Sequence, residues 1–338
     1  MILIISAPED VHAQAVQAEL DRMGRPHRLL NLAEFPSKLS LTAHLDGRRS
    51  DFALTFGDGI RVAMDEVTAV WWRRPQAFGF PAEIKDPAHR HFAQSEASTV
   101  FQGMYQSSAA LWINDVVRDA AAAHKPWQLK LAREAGLAIP ETLITNDPEE
   151  ARAFWRRHPG EVIYKPFLQT YHAWRETRKV KPEEEALAEA VRLTPVLFQR
   201  YVPAVCDLRV TVIGERLFAA AARGEEYDLD IRFNVEAKYR PHELPAEVEN
   251  RLLILMRRLG LEYGAVDFRL TPEGKYVFLE VNPAGQFLYV EKATEQPIAR
   301  ALAEHLARGV ATSTEVDWAL HAEARAASGG ARPDREAA

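Results

Sequence analysis

Two apolar, strand-like runs near the end of the chain carry acidic residues inside them, and this pattern constrains the fold most. The segment from residue 263 to residue 291 reads YGAVDFRLTPEGKYVFLEVNPAGQFLYVE. Asp267 lies in the first run, whereas Glu280 and Asn282 lie two residues apart in the second, so both point to the same face of a strand. Carboxylate and amide oxygens from neighbouring strands form the kind of oxygen set that binds Mg²⁺. The sequence therefore predicts a metal site formed by these three residues.

The chemistry that such a site suits is phosphoryl transfer, because Mg²⁺ bridges the β- and γ-phosphates of a nucleotide and neutralises their charge. The alternative is that Asp267 and Glu280 are ordinary charges on an edge strand. Glu280 favours the metal site, since it lies inside the hydrophobic run 276–281, where a carboxylate is costly without a compensating cation or partner.

The composition is that of a globular protein with two or three domains. The chain has 338 residues, of which 47% are hydrophobic and 27% are charged. A net charge of −6 argues against a general nucleic-acid-binding protein. The single cysteine, Cys206, excludes an internal disulfide and a cysteine-based zinc site. The apolar N-terminus is too short for a signal peptide or a membrane span, so we expect a cytoplasmic protein without membrane contact.

The first third of the chain predicts a small α/β domain with a parallel sheet. A strand at residues 1–6, a helix at 8–23 and a strand near 27–32 follow one another. The further predicted elements are a hairpin with strands at 52–56 and 60–63, a strand at 67–72, and one long helix from about 89 to 112.

The pattern changes near Asn114, where a second set of elements begins. The predicted helices are at 124–136, 148–158, 182–192, 244–259 and 297–306, and the predicted strands are at 143–145, 161–166 and 196–202. A hairpin over residues 207–222 is predicted to turn at Gly214. The residues from about 324 onwards have the composition of a disordered tail.

Two lysines are candidates for contacts with nucleotide phosphates. Lys165 ends a predicted strand and precedes a proline, so its ammonium group can be held in place at the strand end. The alternative is a solvated lysine at the end of a strand. Lys125 precedes a proline at a predicted helix start and could also reach a phosphate. The end of the strand at 196–202 has backbone groups that could read an adenine edge, although a buried strand would look the same. These candidate adenine contacts are Gln199, Arg200, Tyr201 and Val202.

Three arginines are candidates for holding a transferring phosphoryl group. Arg209 alternates with apolar neighbours, and an arginine beside a metal site could bind a γ-phosphate or a developing acyl phosphate. Arg232 and Arg269 are similar in kind, and Arg269 lies on the same strand face as Asp267. A structural salt bridge is the alternative for each arginine.

Contacts with a substrate are predicted in two places. Arg73 and Arg74 follow a strand of the first domain, where α/β sheets tend to place ligand sites, so they could hold an acidic substrate. Solvated arginines beside core tryptophans are an equally good interpretation. The polar loop at 169–179 contains Tyr171 and could close over a nucleotide as a lid, or could simply be exposed.

With these residues assembled, the chain resembles the ATP-grasp ligases, and most closely the graspetide (microviridin-type) synthetases that mature ribosomally made peptides. The resemblance covers about residues 65–306. Four segments carry it: VWWRRP at 70–75, KPWQLKLAREAGLAIPETLIT at 125–145, FQRYVPAVCDLRVTVIGERLFAA at 198–220, and the segment at 263–291.

The resemblance implies an α/β fold with a pre-ATP-grasp domain at 1–115, two α+β lobes at 116–196 and 197–323, and a disordered tail at 324–338. It implies that Lys125 and Lys165 contact phosphates, that Arg209 contacts the γ-phosphate and the acyl phosphate, and that residues 199–202 form the adenine hinge. The hinge often carries a glutamate where this chain has Arg200, and the next acidic residue, Asp207, is a further nucleotide-binding candidate. The metal residues would hold two Mg²⁺ ions.

The activity implied by the resemblance is the activation of Asp or Glu side chains of a precursor peptide as acyl phosphates, at the expense of ATP. A Thr or Ser hydroxyl or a Lys amine of the same peptide then closes an ester or amide ring. A homodimer is also implied. The alternatives are a ligase that adds an amino acid to a peptide or protein, of the glutathione-synthetase or ribosomal-protein-modifying kind, and an ATP-binding scaffold without turnover.

Overall fold

A computed structural model describes residues 1–46, 50–167, 177–223 and 238–309 of the chain. Tyr171 and Arg232, and the predicted tail at 324–338, lie outside these ranges.

The first domain contains a four-stranded parallel sheet, as the order of its predicted elements indicates. In spatial order the strands are β2 (His27–Leu30), β1 (Ile2–Ile5), β6 (Ala69–Trp72) and β7 (Leu111–Ile113). Helix α1 (Val11–Arg22) follows β1 and begins at Asp10, whose side chain accepts a hydrogen bond from the His12 amide.

A separate three-stranded antiparallel sheet covers one side of this domain. It consists of β3 (Leu39–Leu45), β4 (Ser50–Phe56) and β5 (Arg61–Ala63). The hairpin predicted at 52–56 and 60–63 is confirmed by the pairing of β4 with β5. Strand β3, which pairs with β4 along its full length, was not predicted.

The single helix predicted from 89 to 112 is wrong at its C-terminal end. Helix α2 (Pro87–Ser107) begins at Asp86 and ends five residues earlier than predicted, and Leu111 and Trp112 belong to β7. The reason is tertiary, because β7 completes the edge of the parallel sheet by pairing with β6. A short helix, α3 (Val116–Ala122), follows β7 and was also not predicted.

The middle of the chain forms a four-stranded sheet, called here the middle sheet. Its strand order is β10 (Arg178–Lys179), β9 (Val162–Lys165), β11 (Val196–Arg200) and β8 (Thr142–Thr145). The helices that pack on it are α5 (Pro148–Arg157) and a 3₁₀ helix at Pro182–Leu193, where the sequence predicted an α-helix. Helix α4 (Lys125–Glu134) instead packs in the core of the last sheet. The predicted domain boundaries remain predictions, and β11 spans the one between residues 196 and 197.

The last sheet has five antiparallel strands and carries the acidic residues. Its order is β14 (Lys238–Pro241), β13 (Arg216–Arg223), β12 (Cys206–Ile213), β15 (Tyr263–Leu270) and β16 (Tyr276–Asn282). The predicted hairpin at Gly214 is confirmed by the pairing of β12 with β13. Helix α6 (Ala246–Leu259) ends at Gly260 in the left-handed conformation, and α7 (Leu288–Thr294) and α8 (Ile298–Arg308) follow the sheet.

One apolar core joins the first domain to the last sheet. Ile4 and Trp71 of the parallel sheet pack in the same cluster as Tyr263 of β15 and as Leu302 and Leu306 of α8. Because these side chains are all buried, the end of β6 is fixed against the loop that follows β16.

Candidate active site

Strand register places three of the predicted site residues in one row across the last sheet. Arg209 of β12 lies opposite Asp267 of β15, which in turn lies opposite Glu280 of β16. Arg209 Nη1 lies 2.7 Å from Asp267 Oδ1, and Lys125 Nζ of α4 lies 2.8 Å from Glu280 Oε2. The register of β15 on β16 shifts just after Asp267, and such irregularities often re-aim a side chain beside a functional site.

Asn282 lies at the end of β16, where the strand turns into a loop. Its Oδ1 accepts a hydrogen bond from the Ala284 amide at 3.0 Å, which fixes the side chain against the turn. Among the described residues, no three His, Cys, Asp or Glu side chains form a group that could hold a metal ion, so the predicted site depends on this amide as its third ligand.

A cleft of about 340 Å³ brings most of the predicted residues together. The predicted residues that line it are Lys125, Lys165, Gln199, Arg200, Val202, Asp207, Arg209, Asp267, Arg269, Glu280 and Asn282. Arg73, Arg74 and Tyr201 are not among its lining residues. The cleft lies between the middle sheet and the last sheet. Two of its cations, Lys125 and Arg209, lie beside the carboxylates of Glu280 and Asp267.

The charge on Arg209 is strongly stabilised. Burial is the largest single effect and lowers its pKa, but Asp267 together with the nearby Tyr289 and Tyr263 outweighs burial and raises the pKa of Arg209 above its ordinary value. Its Nη2 donates to the Gln286 carbonyl at 3.3 Å, and its buried Nε has no hydrogen-bond partner among the described residues. Arg209 is therefore a fixed cation at the floor of the cleft.

The predicted adenine hinge is partly committed to other contacts. The Arg200 amide donates to the Glu141 carbonyl at 2.9 Å and the Tyr201 amide to the Glu161 carbonyl at 2.6 Å. The side chain of Gln199 is buried, and its Oε1 has no hydrogen-bond partner among the described residues, although its Nε2 donates to Thr142 Oγ1 at 3.0 Å. Gln199 thus offers a buried acceptor at the predicted adenine hinge.

Arg269 lies two residues further along β15 than Asp267. Its Nε is 2.9 Å from Asp207 Oδ1, and its Nη1 donates to the Val202 carbonyl at 2.8 Å. The guanidinium also lies 5.2 Å from the centre of the Tyr201 ring. Although strand alternation puts Arg269 on the same face as Asp267, these contacts tie it to the hinge rather than to the predicted metal site.

The loop after β16 is held by buried polar side chains, of which Arg73 was predicted as a substrate contact and Asn114 and Gln128 were not predicted. Arg73 donates to the carbonyls of Ala284 and Gly285. Asn114 and Gln128 are among the buried polar residues of the described chain and donate to other carbonyls of the same segment. The only signal in the sequence is a polar residue that follows an apolar one, which does not reveal the partner.

None of the helices in the described part of the chain has the length and apolar character needed to cross a membrane.

The chain is similar to known proteins in sequence and in structure. The family described as MvdD pre-ATP grasp domain matches residues 1–120. The macrocyclase MdnC from Microcystis aeruginosa MRC, solved with precursor peptide MdnA bound, has a TM-score of 0.81 and 30% identity over 91% of this chain and 99% of that chain. A Chryseobacterium gregarium RiPP-associated ATP-grasp ligase, solved with ADP and a leader and core peptide, has a TM-score of 0.82 and 26% identity over 91% of this chain and 96% of that chain.

The ATP-grasp ligase PsnB, solved with a minimal precursor, Mg and ADP, has a TM-score of 0.76 and 26% identity over 91% of this chain and 96% of that chain. No curated protein sequence matches the chain significantly.

The fold and the cleft define an ATP-grasp ligase, an ATP-dependent enzyme with two lobes behind a pre-ATP-grasp domain. Within that class, the chain belongs to the graspetide-type (microviridin-type) ligases. The resemblance and the α/β fold class predicted from the sequence are confirmed.

Proposed function

We propose that this ligase closes rings in a ribosomally made precursor peptide, by condensing an Asp or Glu side chain with a Thr or Ser hydroxyl or with a Lys amine. The observation that carries the proposal is the row of Arg209, Asp267 and Glu280 in the cleft of a chain that is similar to a macrocyclase solved with its precursor peptide.

The reaction has two steps in this proposal. A carboxylate oxygen of the peptide attacks the γ-phosphorus of ATP, the bond to the bridging oxygen breaks, and ADP leaves with the electron pair. The hydroxyl or amine of the same peptide then attacks the acyl carbon and loses its proton, and phosphate leaves. The peptide loses one water per ring. The enzyme supplies no nucleophile, and Cys206 is buried in β12.

The donor set fits Mg²⁺, because Asp267, Glu280 and Asn282 offer hard oxygen atoms at one end of the cleft. Bound Mg²⁺, of which we expect two ions, supplies positive charge to the nucleotide phosphates. Lys125 and Arg209 pair with the two carboxylates. Both cations would contact phosphate oxygens once the carboxylates hold the metal.

The remaining residues divide between the phosphates and the base. Lys165 at the end of β9 lines the cleft and would contact phosphate. Arg209 would hold the transferring phosphoryl group and the acyl phosphate, since its pKa keeps it cationic. Gln199 and the backbone at Val202 would contact the adenine. Arg200, Tyr201 and Asp207 keep their predicted roles in nucleotide binding. Outside the described residues, Arg232 remains a candidate for holding the phosphoryl group and Tyr171 a candidate for substrate contact.

The test is mass spectrometry of a candidate precursor peptide, encoded beside the gene, after incubation with the enzyme, ATP and Mg²⁺. Loss of one water per ring with matching ADP release is expected. The control is Glu280→Gln, which should leave the peptide unchanged. A peptide that gains the mass of an added amino acid, or ADP release without dehydration, would contradict the proposal.

We also propose that the enzyme works in the cytoplasm, where ATP is available, and that it is a homodimer. We further propose that neither nucleic acid nor a membrane is among its partners. This proposal rests on the net charge of −6 and on the sequence as a whole. Light scattering of the purified chain tests the dimer, and a monomer mass would exclude it.

A further inference from the structure

The loop that connects β16 to α7 lies between the first domain and the active-site cleft. On one side its backbone contacts the cation of the site, because Arg209 Nη2 donates to the Gln286 carbonyl at 3.3 Å. At its start Asn282, a proposed metal ligand, accepts a hydrogen bond from the Ala284 amide. The loop thus contacts both groups.

On its other side the loop is held by Arg73, which follows β6 of the first domain. Arg73 Nη1 donates to the Ala284 carbonyl and, at 2.9 Å, to the Gly285 carbonyl. Its Nε lies 3.1 Å from Asp10 Oδ2, and the side chains of both residues are buried, with exposures of 0% and 8%. Tyr263 adds a third hydrogen bond to this loop, from its hydroxyl to the Gly285 carbonyl at 2.8 Å.

Asn114 holds the first residue of the loop and Gln128 holds the backbone just before the loop, and neither residue belongs to a strand of the last sheet. Gln128 of α4 makes both backbone hydrogen bonds of Val281, at 2.8 Å and 3.0 Å. Asn114, after β7, donates to the Pro283 carbonyl at 3.2 Å and to the Tyr263 carbonyl at 3.0 Å. Buried backbone carbonyls require such partners, because leaving them unpaired is costly.

We propose that Arg73 is a positioning residue of the ligase, which acts through the backbone of residues 284 and 285 to place Asn282 and Arg209 for Mg²⁺ and nucleotide. The inference rests on the proposed nucleotide and metal site. It replaces the expectation that Arg73 contacts an acidic substrate, since the Arg73 side chain is buried and contacts protein groups.

A purely structural role would have a different signature. Arg73 would then contribute to folding alone, and variants that remain folded would bind nucleotide normally. A positioning role instead changes the Mg²⁺ concentration that nucleotide binding requires, because losing a residue that orients a metal ligand typically costs about 10-fold to 100-fold in metal affinity.

The experiment uses Arg73→Lys in the full chain. A lysine keeps the positive charge beside Asp10 but lacks the fork of donors that reaches Asp10 and both carbonyls together. The matched control is Arg28→Lys, the same substitution in the same domain, where Arg28 pairs with Asp58 and has no contact with the loop in the described structure. Calorimetry measures the binding of AMPPNP at graded Mg²⁺ concentrations, and thermal unfolding is recorded in parallel.

We expect Arg73→Lys to require about 10-fold or more additional Mg²⁺ for half-maximal AMPPNP binding, and Arg28→Lys to require the same Mg²⁺ concentration as the wild type. Wild-type Mg²⁺ dependence in a folded Arg73→Lys variant would overturn the inference. If that variant fails to unfold cooperatively, the double variant Asp10→Asn, Arg73→Met is measured in its place, because it leaves no uncompensated buried charge. The same two outcomes then decide.

This experiment separates the inference from the proposed function, since it involves no peptide. A wild-type chain that binds AMPPNP with Mg²⁺ but closes no ring would contradict the proposed reaction. The Arg73 variants would then still decide whether Arg73 is a positioning residue. A wild-type chain that binds no nucleotide would overturn both.

Discussion

Gly285, in the loop after β16, has no room for a side chain. The substitution Gly285→Ala should therefore displace this loop from Arg209 and Asn282 without removing any charged group. A Cβ atom there would lie 3.1 Å from Arg209 Nη2 and 3.2 Å from the Asn282 carbonyl, and would overlap the side chain of Ala265. Carbon atoms pack about 3.5–4.0 Å apart, so the loop has to move away from β15 by on the order of 1 Å. A misplacement of that size in an active site can lower the rate about 100-fold.

We therefore expect Gly285→Ala to lower kcat for ring formation about 100-fold and to destabilise the protein by about 1–3 kcal/mol through overpacking. Peptide-dependent ADP release and urea unfolding measure the two effects. The control is Gly103→Ala in α2, where a Cβ would meet nothing within 4 Å and the helix should gain stability. A Gly285→Ala variant with wild-type kcat would refute the reasoning, because it would show that the loop position does not control the site.

Three further predictions concern single residues. Glu280→Gln should keep the thermal stability of the wild type while raising the Mg²⁺ requirement for AMPPNP binding more than about 100-fold, as calorimetry would show. Arg269→Met should weaken ADP binding about 10-fold by releasing the Val202 carbonyl, which a titration with ADP would detect, whereas an unchanged affinity would exclude a role in the hinge. Burial and Arg73 lower the pKa of His12 from 6.5 to about 4, so the unfolded chain takes up a proton below pH 6.5 and the folded chain does not until about pH 4. Stability should therefore be lost as the pH falls through this range, by about 1–2 kcal/mol after allowance for solvent screening, and His12→Gln should lack this component in urea unfolding.

The meeting of Asp267 and Glu280 on neighbouring strands could be predicted from the sequence because its signal is local. Each carboxylate lies inside an apolar run, and alternation along a strand places Glu280 and Asn282 on one face without any knowledge of the partner strand. Gly260 likewise ends α6 by a conformation that glycine adopts readily, with a φ of 70°. Such features depend on residues that are close in the chain.

Features that depend on distant residues could not be predicted. The end of α2 is set by the pairing of β7 with β6, and a helical pattern through Leu111 and Trp112 gives no sign of that pairing. Arg73 is equally ambiguous, because an arginine after a strand has the same pattern whether it meets solvent, a substrate or the carbonyl of Gly285, which is 212 residues away. Arg269 lies on the face that alternation requires, yet its contacts are decided by the position of Asp207 on β12.

The contacts of Arg73 and Asn114 show how a site can depend on a domain that does not line the cleft, and Gln128 of α4, which does line the cleft, holds the same segment. Strand β16 is an edge strand that ends at Asn282, so the outward backbone groups of Val281 and the backbone groups beyond Asn282 have no strand to pair with and have to find side-chain partners. Those partners come from the first domain, from the residue after β7 and from α4, and they converge on residues 281–285. The first domain also shares an apolar core with α8 and β15. Because one set of buried contacts both anchors this domain and orients the proposed metal ligand, folding of the first domain and geometry of the cleft are coupled.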